Sequence, residues 1–224
     1  MYRSDHEARQ AIIAAGKRLY QNAYVAANDG NITARMEDGS VWCTPTGVSK
    51  GFMTEDMLVR VSLDGKLLDG KNKVSSEILM HLAIYKQNPK LGGIVHAHGP
   101  GATAWAASGN AWDLAISLDS ALHLGAVPCA PFAITGSADL AERAAPYSKN
   151  HTAILLEHHG SVTWGKDVEQ ALFRTEVLEQ TFKIYANMRI FGEVRLLSQR
   201  QLDEIEGVKA KYDIHCPRAK GRDR

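Results

Sequence analysis

Cysteine is scarce in this 224-residue chain: Cys43, Cys129 and Cys216 are widely spaced, and no two form a CxxC pair. An odd, scattered set argues against a disulfide scaffold and suits a reduced, cytoplasmic protein. Charge of one sign is lacking as well, with 26 basic residues against 25 acidic ones and a formal net charge of +1. Bulk electrostatics gives no reason to expect nucleic acid as a partner. No stretch approaches the roughly 18 apolar residues that span a bilayer, so no membrane partner is expected. The start, MYRSDHEARQAIIAAGKRLY, mixes acids and bases at helical spacing, unlike the apolar core of a signal peptide. Internal repeats, low-complexity tracts and long linkers are missing too. The length therefore predicts a single domain over residues 1–224. The basic end CPRAKGRDR is expected to be a frayed, solvated tail.

What is present reads as interspersed helices and strands. Ala8, Ile12, Ala15 and Leu19 share one face of a first helix. AANDGNITAR follows as a turn, with Asp29-Gly30 as a hairpin-type signal. SVWCTPTG is a strand ending in a loop, and MLVRVSLDGKLLDG is strand, turn, strand. SSEILMHLAIYKQNP is a helix opened by capping serines. GGIVHAH and TAILLEHHG are strands, LHLGAVPCAPF carries a strand into a turn, and ATAWAAS is a short helix. SADLAERAAPYS is a helix capped at Ser137, and the longest helix runs from a cap at Asp167. The order is not strict βαβ, which points to an α/β domain on a mixed or antiparallel sheet.

Two strands end in histidine followed by glycine. Residues i and i+2 on a strand share a face, so His96 and His98 can meet one ion. Imidazole suits zinc, and a catalytic zinc keeps three protein ligands and an open position. A histidine pair with no metal is about as common, but the second strand end, EHHG, offers a third ligand in His158 or His159. Periodicity does not choose between those two. Glu77 lies at a helix start, where a carboxylate is favoured by the dipole; taken locally, simple capping is the better explanation. Gly30-Asn31, Thr46-Gly47 and Ser75-Ser76 read as ordinary turns or caps, or as loops whose N–H groups meet an anion. His6, His81, His123, His151 and His215 are taken as structural. Lys50 and Lys166 sit in polar turns, which argues against Schiff-base chemistry.

Taken in order, DGNITAR, TPTGVSKG, SSEILMHLAIY, GGIVHAHGPGATAWA, VPCAPF and LLEHHGSVTWGKDVEQALFRTEVLE resemble the class II aldolase/adducin family. The resemblance covers about residues 7–190, leaving 191–224 as a C-terminal tail. It implies a three-layer α/β/α domain around a mainly antiparallel mixed sheet. It also implies a homotetramer with active sites at subunit interfaces. Zinc, or another divalent transition metal, would sit on His96, His98 and His159, with Glu77 as ligand and catalytic carboxylate. A sugar phosphate would place its phosphate on Gly30, Asn31, Thr46, Gly47, Ser75 and Ser76.

The implied reaction is metal-dependent cleavage of a ketose 1-phosphate, such as L-fuculose 1-phosphate. The products would be dihydroxyacetone phosphate and an aldehyde such as L-lactaldehyde. Relatives that epimerise L-ribulose 5-phosphate typically carry SSD, so SSE ending at Glu77 favours the aldolase branch. The same intact SSE disfavours the family's dehydratases and decarboxylases. A non-catalytic interaction module of the adducin-head kind would be expected to have lost these ligands. One departure stands out: AISLDSALHLGAV lacks the tyrosine that the aldolases bring across the interface. Asp119 and His123 are the nearest substitutes in that segment, and the resemblance implies that Tyr212 in KAKYDI corresponds to a second tyrosine, in the family's C-terminal tail.

Overall fold

The alternation of helices and strands resolves, in a computed structural model that describes residues 1–222, into one eight-stranded sheet with helices on both faces. Its strands are β1 (Asn31–Arg35), β2 (Val41–Cys43), β3 (Val59–Val61), β4 (Leu67–Asp69), β5 (Gly93–Ala97), β6 (Cys129–Ala130), β7 (Ala153–Leu156) and β8 (Gly160–Gly165). They lie in the order β4-β3-β2-β1-β5-β8-β7-β6. Every pairing is antiparallel except β6 with β7. The sheet is therefore mixed and mainly antiparallel, as the resemblance implies.

One face is covered by α1 (Asp5–Gln21) and by the first turns of α6 (Val168–Phe191). Ala8, Ile12, Ala15 and Leu19 of α1 are at most 2% exposed, which is the face their spacing predicts. The other face is covered by α2 (Ile78–Gln87) and α5 (Ala138–Ala144). Short helices α3 (Pro100–Ala106) and α4 (Leu118–His123), then α7 (Gln199–Lys211), complete the layers. Strand β5 is buried on both sides. Ile94 packs with Met80, Tyr85 and Trp164, whereas Val95 and Ala97 pack on the α1 side with Ile12 and Leu19. Full burial of each such large apolar side chain contributes about 1.5–3 kcal/mol, so the centre of the sheet is the most strongly held part. The caps follow the sequence: Ser137 Oγ accepts from Leu140 N at 3.1 Å, and Asp167 Oδ1 from Gln170 N at 2.7 Å.

Three expectations need correction, and one stretch without an expectation gains a strand. Leu122 and His123 of LHL belong to helix α4, with Leu124 as its C-cap, not to a strand; Ser117 opens the helix by accepting from Ser120 N at 3.3 Å. SVTWG, which the sequence reading leaves unassigned, is β8, and it pairs with β5 over five residues from Gly93↔Gly165 to Ala97↔Ser161. Asp29-Gly30 is no hairpin turn; it ends the loop from α1 into β1. Nor is the C-terminal end frayed through Arg222. Ala219 is 5% exposed, and Lys220 and Arg222 exchange backbone hydrogen bonds with Asp113, Ala115 and Leu197. A non-periodic stretch gives no pattern from which such backbone docking could be read; Asp223 and Arg224 lie outside the described residues.

Candidate active site

His96 lies on β5 on the same side as Ile94, facing α2, and is fully buried. Its Nδ1–H donates to the Ser161 carbonyl on β8 at 2.9 Å. That bond fixes the tautomer and leaves the Nε2 lone pair pointing away from β8. His98 is the first residue beyond β5, and its Nε2 lies 2.9 Å from His96 Nε2. His159 comes from the turn joining β7 to β8. The residue before it, His158, takes a left-handed φ of +57° and is exposed, while His159 turns inward. The three rings pack edge to face with centroids 4.7–4.8 Å apart. One ligand nitrogen from each lies within 4.8 Å of the others.

Glu77 meets this cluster from α2. It is the N-cap residue of that helix, 7% exposed, and its side chain caps nothing. Oε2 lies 3.3 Å from His96 Nε2 and accepts from Asn31 Nδ2 at 2.8 Å; Oε1 lies 3.6 Å from His159 Nε2. The serines expected to cap α2 precede it instead, and Ser75 Oγ accepts from Glu77 N at 3.4 Å. Several buried polar atoms here have no hydrogen-bond partner: Glu77 Oε1, His159 Nδ1, Asn31 Oδ1 and His81 Nε2. Imidazole lone pairs converging at such distances repel one another unless a proton or a cation sits among them. Three nitrogens and one carboxylate oxygen are a donor set that fits zinc or another divalent transition metal.

The electrostatics follow from burial and from mutual contact. Burial pushes the Glu77 carboxyl up, but His96, His159 and Asn31 outweigh it and hold it well below the usual carboxylate range. Burial opposes the charge on His96, yet Glu77 raises its pKa overall. His98 is lowered to about 4 and His159 to about 3, in both cases by burial first and by His96 second. Glu77 is therefore ionised, and His98 and His159 are neutral, which is the state a metal ligand needs.

A cleft of about 170 Å³ opens beside Glu77, His98 and His159, and Gly30, Asn31, Thr46, Ser75 and Ser76 line it. Gly47 adjoins Thr46 without lining it. Gly30 has φ +71°, and a Cβ there would come within 2.7 Å of the His96 carbonyl, so this position requires glycine. Gly160 allows β8 to approach equally closely: its Cβ would lie 2.9 Å from the His98 ring. Gly99 leaves room for Glu179, whose buried carboxylate accepts from Gly101 N and Ala102 N at 3.0 and 2.9 Å and caps α3.

Three residues of the site escaped sequence reasoning. Asp29 Oδ2 lies 3.4 Å from His98 Nδ1, the outer partner of a carboxylate–histidine pair. Its place beside Gly30-Asn31 was the available signal. Glu179 reaches the His98 loop from α6, about eighty residues away in sequence, and nothing local marks it. Lys50, read as lying in a polar turn, is 2% exposed and lines the cleft, whereas Lys166 is exposed as expected. Asp119, His123 and Tyr212 are exposed and lie outside this cleft.

Known proteins resemble the chain over most of its length. The profile of the Class II Aldolase and Adducin N-terminal domain matches residues 10–186. A 5-deoxy-D-ribulose 1-phosphate aldolase of Bacillus thuringiensis serovar kurstaki is 31% identical over 92% of this chain and 95% of its own. A 3-oxo-tetronate 4-phosphate decarboxylase of Haemophilus influenzae is 30% identical over 91% of this chain and 98% of its own. The solved structure of an L-fuculose 1-phosphate aldolase superposes with a TM-score of 0.83 at 27% identity, covering 91% of this chain and 96% of its own.

Proposed function

From the premise that the chain belongs to the class II aldolase and adducin N-terminal domain family, we propose that it is a metal-dependent lyase that releases dihydroxyacetone phosphate from a ketose 1-phosphate. The carrying observation is the convergence of His96, His98, His159 and Glu77 beside a cleft walled by Gly30, Asn31, Thr46, Ser75 and Ser76. Turn glycines and helix-start hydroxyls of this kind bind phosphate through N–H and O–H donors, with Gly47 completing the Thr46 loop. The three histidines would hold a divalent metal, which would supply Lewis acidity to the substrate ketone.

The chain's own residues do the rest. The cleft orients the phosphate so that the bond between C3 and C4 lies near Glu77. When that bond breaks, C4 leaves as an aldehyde, its hydroxyl proton passes to the carboxylate of Glu77, which is ionised in the resting site, and the electron pair stays on C3; Glu77 then delivers that proton to C3. The same reading takes zinc as the metal, L-fuculose 1-phosphate or a 5-deoxy pentulose 1-phosphate as substrate, and a cytoplasmic homotetramer with sites at subunit interfaces.

A second reading is favoured by the decarboxylase relatives. Loss of CO2 from C1 of a 3-oxo-tetronate 4-phosphate leaves the same three-carbon fragment, so the two reactions differ only in the departing group. One assay separates them. Metal-loaded protein is given L-fuculose 1-phosphate, 5-deoxy-D-ribulose 1-phosphate or 3-oxo-tetronate 4-phosphate. Dihydroxyacetone phosphate is followed through glycerol-phosphate dehydrogenase and NADH. Signal from a ketose 1-phosphate that vanishes with EDTA and in Glu77→Gln supports the aldolase. Signal from the oxo acid alone replaces it with the decarboxylase. No signal from any of them, with one metal bound per chain, redirects the search to epimerisation of L-ribulose 5-phosphate. No signal and no metal points to an interaction module.

A further inference from the structure

Resting on that sugar-phosphate reading, we propose that the Lys50 ammonium is the fixed positive charge that holds the substrate phosphate and makes the site select phosphorylated ketones. Among the described residues that line the cleft, Lys50 is the only lysine or arginine. A dianionic group entering there meets no other permanent cation from this chain.

Lys50 is also incompletely partnered. Its side chain is buried at 2% exposure, and its Nζ donates to the carbonyls of Asn28 at 2.7 Å and Val48 at 2.8 Å. An ammonium has three N–H donors, and among the described residues no protein acceptor takes the third. No carboxylate of the described residues forms an ion pair with it either. A buried charge without a counterion is costly, so buried cations are normally paired. Here the natural counterion is the ligand. Burial pulls the lysine down to about 8, opposed by Asp29 and Glu77, so it stays charged at neutral pH.

Position gives the same answer. Asn28 lies two residues before Gly30, and Val48 follows Gly47 directly. The ammonium therefore ties together the two loops that line the cleft. A neutral residue could still pack in the hole, but it could neither hold both carbonyls nor attract a dianion.

The test is calorimetric titration of inorganic phosphate into the full-length, zinc-loaded protein, comparing wild type with Lys50→Met, Lys50→Gln and Lys50→Arg. Zinc affinity is measured in parallel by chelator competition. A lost charge-assisted hydrogen bond weakens phosphate binding by about 10–100-fold. That loss is expected in Met and Gln, with Arg recovering most of the affinity and zinc binding unchanged within about twofold. Wild-type affinity in Met or Gln would overturn the proposal and leave Lys50 as a loop strap. An equal loss in all three variants, accompanied by lost zinc affinity, would overturn it in the same way. Should Lys50→Met fail to fold, the Gln and Arg pair decides. If wild type binds no phosphate at all, the sugar-phosphate reading fails, and this inference with it.

Discussion

Strands β5 and β8 run side by side through the middle of the sheet, and their two ends have opposite characters. At one end His96, His98 and His159 bring ring nitrogens together against Glu77, in a cleft of about 170 Å³. At the other end Gly93 packs directly on the backbone of Asp167 and Val168, beside a far larger cleft of about 810 Å³. That larger cleft is edged by Lys90, Lys149, Lys166 and Arg174, none ion-paired among the described residues. Volume and positive charge would select the end opposite to the proposed site. The small end differs because its buried polar groups point at one another, whereas Lys90, Lys149 and Lys166 at the large end face water. Among the described residues no second group of three metal-ligating side chains occurs. Chemistry is located by convergence of unsatisfied groups, not by the size of a cavity.

The largest expected effect separates the two ends at once. On the proposed reading His96→Ala removes a metal ligand and should cut turnover by roughly 1000-fold, since Lewis-acid stabilisation is worth several kcal/mol. Arg174→Ala at the other end should leave steady-state turnover within about twofold if the comparison holds; equal losses would break it. Next comes Glu77→Gln, which keeps the shape and removes the proton carrier. A loss in kcat of about 100- to 10,000-fold is expected, with an unchanged circular dichroism spectrum.

A smaller effect tests the outer partner of His98. Asp29→Asn should weaken metal affinity by about 10–100-fold, read by chelator competition; unchanged affinity would confine the site to its direct ligands. The last comparison uses the glycines. Gly93→Ala and Gly160→Ala both force a Cβ into packed atoms, and each should cost about 1–3 kcal/mol in urea unfolding. Only Gly160→Ala should also shift metal affinity, because its Cβ meets the His98 ring. A matching shift from Gly93→Ala would mean that the two ends are coupled.

Legibility in the sequence divides along a similar line. The HxH spacing on an apolar run placed His96 and His98 together, because strand periodicity is a local property. Helix α1, the caps at Ser137 and Asp167, and the turn between β3 and β4 were readable for the same reason. Strand β8 was not, although it lies at the centre of the sheet. Six residues bounded by glycines, directly after EHH, give no alternation when both faces are buried. Helix α4 was hidden by its short length, and the docked C-terminal end by its reliance on backbone hydrogen bonds.

By itself the sequence determined which residue types could do chemistry and which neighbours share a face: two histidines two apart on a strand, a carboxylate at a helix start, glycine-marked loops. Periodicity left His158 and His159 open and only the resemblance chose His159; the physical ground for that choice, the left-handed turn at His158, depends on how β7 reverses into β8. The burial of Lys50 and the reach of Glu179 and Asp29 to the histidine segment were likewise decided only by the tertiary structure. The physical reason is common to these cases. A side chain's partners, and the water it loses, come from segments distant in the chain, and local spacing carries no record of them.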